Sequence, residues 1–103
     1  MKPKDLKLTN SEKKVVVQER IWHVPPGMNR DFLFEGFQST LFFNNSNPVH
    51  LEICSGNGLW IAEKAKSQPQ VNWMGVEIKW GRIRKIWSKI RNHNLTNLMG
   101  LYG

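Results

Sequence analysis

The stretch VHLEICSGNGLWIAEKAK, residues 49–66, decides the fold of this protein. Its first five residues, VHLEI, form a short apolar run that predicts a strand. Gly56 and Gly58 make a loop, and LWIAEKAKSQ after them predicts a helix that ends before Pro69, because proline cannot continue a helix. A strand, a glycine loop and a helix in immediate succession are typical of the first unit of a parallel α/β sheet.

The same order is repeated in the rest of the chain. VNWMGVEI (residues 71–78) predicts a second strand, GRIRKIWSKIRNH (81–93) a second helix, and NLTNLMGLYG (94–103) a turn followed by the start of a third strand. Strands that alternate with helices of this length pair in parallel through right-handed crossovers, which indicates the α/β class. Two strands and part of a third are fewer than such a sheet needs. We therefore expect residues 48–103 to be the N-terminal half of a larger domain.

Apolar residues at helical spacing predict which positions pack in the core. These positions are Leu59, Ala62 and Ala65 in the first helix, Ile83, Ile86, Trp87 and Ile90 in the second, and the tryptophans Trp60, Trp73 and Trp80.

Residues 1–47 are predicted to be an N-terminal extension that docks on the rest of the chain. The cluster Pro25, Pro26, Gly27 and the later run NNSNP are strong turn signals. Between them, DFLFEGFQSTLFF (residues 31–43) has apolar residues at a spacing that suits a short helix. The segment changes character too often to predict a core of its own.

Composition limits the classes of function. A chain of 103 residues is one domain at most. Fifteen Lys and Arg against eight Asp and Glu give a net charge of +7, which favours anionic partners such as nucleic acid or a membrane surface. Most of the excess positive charge lies in residues 79–91, and no acidic residue follows Glu77.

No apolar run approaches the roughly 20 residues of a membrane span, and the N-terminus lacks the apolar core of a signal peptide, so we expect a cytoplasmic protein that does not enter a membrane. The single cysteine excludes an internal disulfide and fits a reducing compartment. His23, His50 and His93 are isolated from one another, so no metal site is predicted.

The type of loop and its acidic neighbours indicate the ligand. A dinucleotide-binding loop needs a third glycine where Ile61 stands, and no phosphate-binding G-x-x-x-x-G-K-[ST] motif occurs. Glu52 and Glu77 lie near the ends of the two strands, and the second can accept hydrogen bonds from ribose hydroxyls. Two carboxylates repel a pyrophosphate but attract a ligand with an ammonium and a sulfonium group, such as S-adenosylmethionine. The alternative is that both acids are solvated strand-end residues and that the glycines only turn the chain.

The segments LEICSGNGLWIAEKAK, NWMGVEIKWGRIRKIWSKI and NHNLTNL resemble the cofactor-binding half of the bacterial tRNA (guanine-N7)-methyltransferases. In that family a strand ending in E-I-G-x-G-x-G is followed by a second ending in G-[IV]-E. The likeness is close over residues 48–103, and ERIWHVPP and MKPKDLKLTN are more loosely similar to an N-terminal arm of some members. It implies a Rossmann-like methyltransferase fold, S-adenosylmethionine as cofactor and tRNA as partner, with methyl transfer to N7 of a guanine.

The resemblance also implies roles for particular residues. Glu52 would lie near the methionine end of the cofactor, Gly56 and Gly58 would form the floor of the pocket, and Glu77 would hold the ribose; none of these residues would be a catalytic base. The implied cofactor-binding set is Glu52, Ser55, Gly56, Asn57, Gly58, Glu77 and Ile78. Arg82, Arg84, Lys85 and Lys89 on the basic helix are predicted to contact RNA phosphates.

The sequence departs from the family pattern in two places. Cys54 replaces the first glycine of the motif, and we expect it to be a buried thiol that packs under the loop. The chain ends at Gly103, before the family's acidic adenine contact and its D-P-W-P-K motif. The expectation is therefore a truncated methyltransferase, and the alternative is a non-catalytic, basic RNA-binding fragment. Nothing in the sequence indicates the oligomeric state.

Overall fold

A computed structural model describes residues 1–7, 16–24 and 43–103 of the protein. Its elements, in chain order, are a 3₁₀ turn at Pro3–Asp5, strands β1 (Val16–Gln18), β2 (Ile21–His23) and β3 (Val49–Ile53), helix α1 (Leu59–Ser67), strand β4 (Asn72–Glu77), helix α2 (Trp80–Asn92) and strand β5 (Leu98–Tyr102). The helix predicted within residues 31–43 lies outside the described residues, apart from its last position.

The described strands form one five-stranded sheet in the order β1-β2-β5-β4-β3. β3, β4, β5 and β2 run parallel to one another, and β1, at the edge of the described sheet, pairs antiparallel with β2. This mixed α/β architecture, rich in parallel pairs, fits the predicted Rossmann-like class. The two strands that precede residue 48 were not predicted. They extend the sheet beyond β5, and Val24 continues their ladder by donating its N–H to the carbonyl of Tyr102 at 2.8 Å.

Both helices pack on one face of the sheet. The stripe Ile83, Ile86, Trp87 and Ile90 of α2 is buried, as predicted. In α1 the buried residues are Ile61, Ala62 and Ala65, so the predicted face is only partly right. These three lie within an arc of about 100° around the helix, the usual width of an apolar stripe. Leu59 falls outside the arc and is 69% exposed.

The tryptophans are divided between the core and the surface. Trp73 and Trp87 are buried, which confirms their prediction as core residues. Trp60 is 53% exposed, so its prediction was wrong. Its ring lies edge-on against Trp73 and beneath the ammonium group of Lys64, on the solvent side of α1. Trp80 is half-buried against Tyr102.

The described residues cover the opposite face of the sheet less completely. Met74, Met99 and Leu101 are buried there with Val24 and Phe43. On the outer strand β3, Leu51 and Ile53 from the same face are exposed. Among the described residues, no helix combines the length and the apolar character that a membrane span requires.

Candidate functional site

The glycine loop, residues 54–58, lies at the carboxyl ends of β3 and β4 and leads into α1. Backbone hydrogen bonds give it a fixed shape: the Ser55 N–H donates to the carbonyl of Val76 at 3.1 Å, and the Gly58 N–H donates to the carbonyl of Ser55 at 3.2 Å. In a parallel α/β sheet this edge is where ligands bind. The predicted residues on β3, the loop and β4 are therefore brought to one edge of the sheet.

Glu77 ends β4 and is only 4% exposed. One carboxylate oxygen, Oε2, accepts a hydrogen bond from the Gly56 N–H at 3.0 Å. The other, Oε1, accepts from the N–H groups of Ile78 and Lys79, both at 3.2 Å. A carboxylate has about four acceptor positions and the described residues use three of them, so within this part of the chain one position on Oε2 is left for a ligand. A second becomes free only if Gly56 moves away.

Glu52 lies on β3 opposite Gly75 of β4 and is half-buried. Its Oε1 atom is buried and has no hydrogen-bond partner among the described residues. A buried acceptor without a partner is costly, because it has lost its water without gaining a donor. A ligand that brings a positively charged donor to this oxygen would remove that cost.

Glycine is needed at three positions of this edge, for different structural reasons. Gly56 and Gly58 both have positive φ angles, +61° and +82°, which side chains other than hydrogen disfavour. Space around Gly56 is open, whereas a Cβ on Gly58 would lie 2.7 Å from Cγ1 of Ile86. A Cβ on Gly75 would lie 2.7 Å from the Ser55 hydroxyl. Gly75 is a site residue that sequence reasoning missed; its signal was the glycine two residues before Glu77.

Cys54 is exposed, so the prediction of a buried thiol was wrong. Its φ angle is +61°, in the left-handed region that a non-glycine residue adopts at a cost. The left-handed turn explains why a glycine suits this position. Ser55 follows it and donates its hydroxyl to the carbonyl of Glu52 at 3.1 Å, which ties the loop to the end of β3.

The last predicted pocket residues lie at the borders of the loop and of β4. Asn57 is exposed, and its carbonyl accepts a hydrogen bond from the ammonium group of Lys89 at 2.9 Å. Ile78 is 72% exposed beside the carboxylate of Glu77. No side chain within the described residues caps the N-terminus of α1, so its amide groups and positive dipole end face the loop region.

The four basic residues predicted to contact RNA divide into two pairs. Arg82 and Lys85 are exposed on α2. Arg84 is half-buried: it donates to the carbonyl of Lys4 at 2.8 Å, and its guanidinium lies 5.5 Å from the centre of the Trp80 ring. Lys89 is half-buried against the glycine loop. Only the first pair presents its charge freely to a large anion.

The described part of the chain contains no group of three His, Cys, Asp or Glu residues placed to hold a metal ion. His23 is stacked on Tyr102 with ring centres 4.9 Å apart, and burial lowers its pKa below the ordinary value. His50 contacts Trp73 edge-on, also at 4.9 Å.

A sheet rich in parallel pairs, with a glycine loop and two carboxylates at the carboxyl ends of its strands, fits the Rossmann-like class of fold. A family model described as "Putative methyltransferase" matches residues 46–103, more than half of the chain. The chain therefore belongs to this methyltransferase family.

Similar proteins agree with the family. A protein of Chlamydia felis named tRNA (guanine-N(7)-)-methyltransferase is 40% identical over 102 residues, which are 95% of this chain and 45% of that protein. One of the same name from Chlamydia trachomatis serovar D is 38% identical and covers all of this chain, with 47% of its own length. A third, from Oceanobacillus iheyensis, is 42% identical over 59 residues, or 57% of this chain and 28% of that protein. The chain thus spans about half the length of the curated Chlamydia relatives it matches.

Proposed function

We propose that this chain is the cofactor-binding part of a tRNA (guanine-N7)-methyltransferase and that it binds S-adenosylmethionine at the glycine loop. The observation that carries the proposal is the pair of carboxylates at the loop: Glu77 is bonded to Gly56, and Glu52 has a buried oxygen without a partner among the described residues. The names of the similar proteins and the sequence resemblance support the reaction and the tRNA substrate.

The residues present fit this cofactor. S-adenosylmethionine carries an ammonium group, a sulfonium group, a carboxylate and a ribose with two hydroxyls. The unpartnered oxygen of Glu52 suits the ammonium group, and the uncapped N-terminus of α1 suits the carboxylate. The free acceptor position on Glu77 suits a ribose hydroxyl. The open space at Gly56 lets a ligand approach the backbone.

The remaining predicted residues have supporting roles. Ser55 fixes the loop to β3, and Asn57 lies between the two glycines that form the pocket floor. Ile78 offers an exposed apolar side chain next to Glu77, where the flat face of an adenine can pack. The cofactor supplies an electrophilic methyl group. Because N7 of guanine is already nucleophilic, the protein needs chiefly to align that nitrogen with the methyl carbon, and no side chain has to remove a proton.

Calorimetry with S-adenosylhomocysteine tests the cofactor part of the proposal. The 103-residue chain should bind it, and Glu52→Gln should weaken binding about tenfold or more, because a neutral amide loses the charge that pairs with the ammonium group. Gln70→Ala, in the exposed turn after α1, is the control and should bind normally. No binding by the unchanged chain, or equal affinity of Glu52→Gln, would contradict the proposal.

The substrate part is tested with tRNA. Arg82 and Lys85 should bind phosphates, so affinity for tRNA should fall steeply as salt is raised. In a protein as long as the similar methyltransferases, methyl transfer from labelled S-adenosylmethionine to tRNA should give 7-methylguanine. Label in another base would contradict the proposed reaction.

A second function, a non-catalytic basic RNA-binding fragment, is favoured by the free charges of Arg82 and Lys85. A gel-shift titration with tRNA at two salt concentrations, run beside the calorimetry, separates the two. Salt-sensitive tRNA binding without binding of S-adenosylhomocysteine would favour this alternative. For either function, we propose that the chain is divided into an N-terminal extension, residues 1–47, which docks on the rest, and the N-terminal half of a Rossmann-like domain, residues 48–103.

A further inference from the structure

We infer that Lys89 is a positioning residue for the glycine loop, and that it is not one of the side chains that bind RNA phosphates. Its ammonium group donates to the carbonyl of Asn57, in the middle of the loop, at 2.9 Å. The inference rests on the proposed function, because it assigns a role within the same cofactor site.

Helix α2 contacts the glycine loop at two neighbouring points. Ile86 packs against the backbone of Gly58 so closely that a Cβ there would lie 2.7 Å from its Cγ1 atom. Lys89 lies three residues further along, on nearly the same side of the helix, and reaches Asn57. One contact fixes the end of the loop by packing, and the other fixes its middle by a hydrogen bond.

The third support comes from β4. The Gly56 N–H donates to Glu77 at 3.0 Å, so residues 56, 57 and 58 are each held by a different side chain. Two of these three contacts are charge-assisted hydrogen bonds: the Gly56 N–H donates to the Glu77 carboxylate, and the Lys89 ammonium group donates to the Asn57 carbonyl. Such charge-assisted hydrogen bonds are shorter and stronger than neutral ones. Without the Lys89 bond, the peptide between Asn57 and Gly58 keeps the hydrogen bond from its N–H to Ser55 but loses the support of its carbonyl, and it lies between two flexible glycines.

The surroundings of Lys89 fit a bond within the protein better than a contact with RNA. Burial, and secondly the positive charge of Lys85, lower the pKa of the Lys89 ammonium group below its ordinary value. Arg82 and Lys85, on the exposed side of α2, present their charges to solvent, where a phosphate backbone can reach them. The basic helix therefore has two tasks: its outer residues face an anion, and Lys89 faces the loop.

Two binding constants separate these tasks. Lys89→Met keeps most of the side-chain volume and removes the donor, so it should weaken binding of S-adenosylhomocysteine about tenfold. Lys89→Arg, which keeps a charged donor, should recover part of the affinity. Neither should change the slope of log affinity for tRNA against log salt. Lys85→Met should lower that slope by about one, as expected when one phosphate contact is lost.

Amide hydrogen exchange in the ligand-free chain provides a readout that needs no cofactor. Lys89→Met should speed exchange of the Gly58 amide, whereas Lys66→Met, at an exposed lysine near the end of α1, should leave both exchange and affinity unchanged. If the unchanged chain binds no S-adenosylhomocysteine, the proposed function fails and the exchange rate alone decides the inference. Unchanged exchange and affinity in Lys89→Met, or a loss of salt slope equal to that of Lys85→Met, would overturn it.

Discussion

The carboxylate of Glu77 accepts a hydrogen bond from the backbone N–H of Gly56 at 3.0 Å, which joins the end of β4 to the glycine loop. The same carboxylate also accepts from the two amide groups that follow it in the chain. Glu77 thus has a structural role before any ligand arrives. A ribose can use its remaining acceptor position at once, but a second hydrogen bond from that carboxylate requires the Gly56 amide to move.

The two loop glycines should differ in their tolerance of a side chain. Gly58→Ala adds a Cβ 2.7 Å from Ile86 and a left-handed strain, so the free energy of unfolding should fall by about 2–4 kcal/mol. Gly56→Ala meets open space and should cost only about 1–2 kcal/mol of strain. Urea unfolding of both variants measures the difference. Equal costs would show that Ile86 does not limit the loop.

Replacing Cys54 with glycine should stabilise the protein. The residue has a φ angle of +61°, and relief of that strain, about 1–2 kcal/mol, exceeds the greater entropy of an unfolded glycine, about 0.5–1 kcal/mol. Thermal unfolding should therefore show a higher Tm for Cys54→Gly. Cys54→Ala keeps the strained backbone and removes the thiol, so it is the control. If alanine stabilised as much as glycine, the backbone explanation would be wrong.

Asn97 should be a major determinant of stability. Its buried side-chain amide donates to the carbonyls of Ala65 and Val71, both at 2.9 Å, and of Gln68 at 3.1 Å. It thereby joins the end of α1 to the start of β4. Asn97→Ala leaves those carbonyls without this donor and should lower the free energy of unfolding by about 2–4 kcal/mol, measured in urea. Thr96→Ala, at the exposed neighbour, should change it by less than about 0.5 kcal/mol.

Stability should depend on the protonation of His23. Burial lowers its pKa in the folded state below the ordinary 6.5, so between these two pKa values the unfolded chain binds more protons. The free energy of unfolding should therefore decrease as the pH falls through 6.5 towards the lower value. His23→Gln should remove this part of the pH dependence, while His93→Gln, at an exposed position, should retain it. An NMR titration that placed the His23 midpoint at or above 6.5 would contradict the assignment.

Much of the fold could be predicted because turn-forming and helix-ending residues mark where its elements begin and end. Glycines and Pro69 border helix α1, and the strands β3 and β4 lie within two residues of their predicted bounds. β1 and β2 were missed because three residues are too short for a recognisable alternation, and β2 is stabilised by β5 from the far end of the chain. Trp60 was misplaced because residue type alone does not show which side of a helix faces the sheet.

The placement of the candidate site residues in the fold was predicted to a similar extent, whereas their roles stay predictions. Spacing along the chain brought Glu52, the loop glycines and Glu77 to one edge, since the carboxyl ends of parallel strands meet there. The bond from Gly56 to Glu77 depends on the side-chain conformation at the end of β4, and the bond from Lys89 to Asn57 depends on how closely α2 approaches the loop, so neither could be predicted. The exposure of Cys54 likewise follows from the local backbone direction and not from its residue type.

The most direct test of the central claim is an NMR titration of the 103-residue chain with S-adenosylhomocysteine. We expect the backbone amide signals of Gly56, Gly58 and Ile78 to shift together with a single affinity, since the Gly56 and Ile78 amides donate to Glu77 and Gly58 ends the glycine loop. In Glu77→Ala, provided that its NMR spectrum is that of a folded protein, these signals should no longer shift. The absence of any shift at the loop, or shifts confined to residues away from it, would contradict the account.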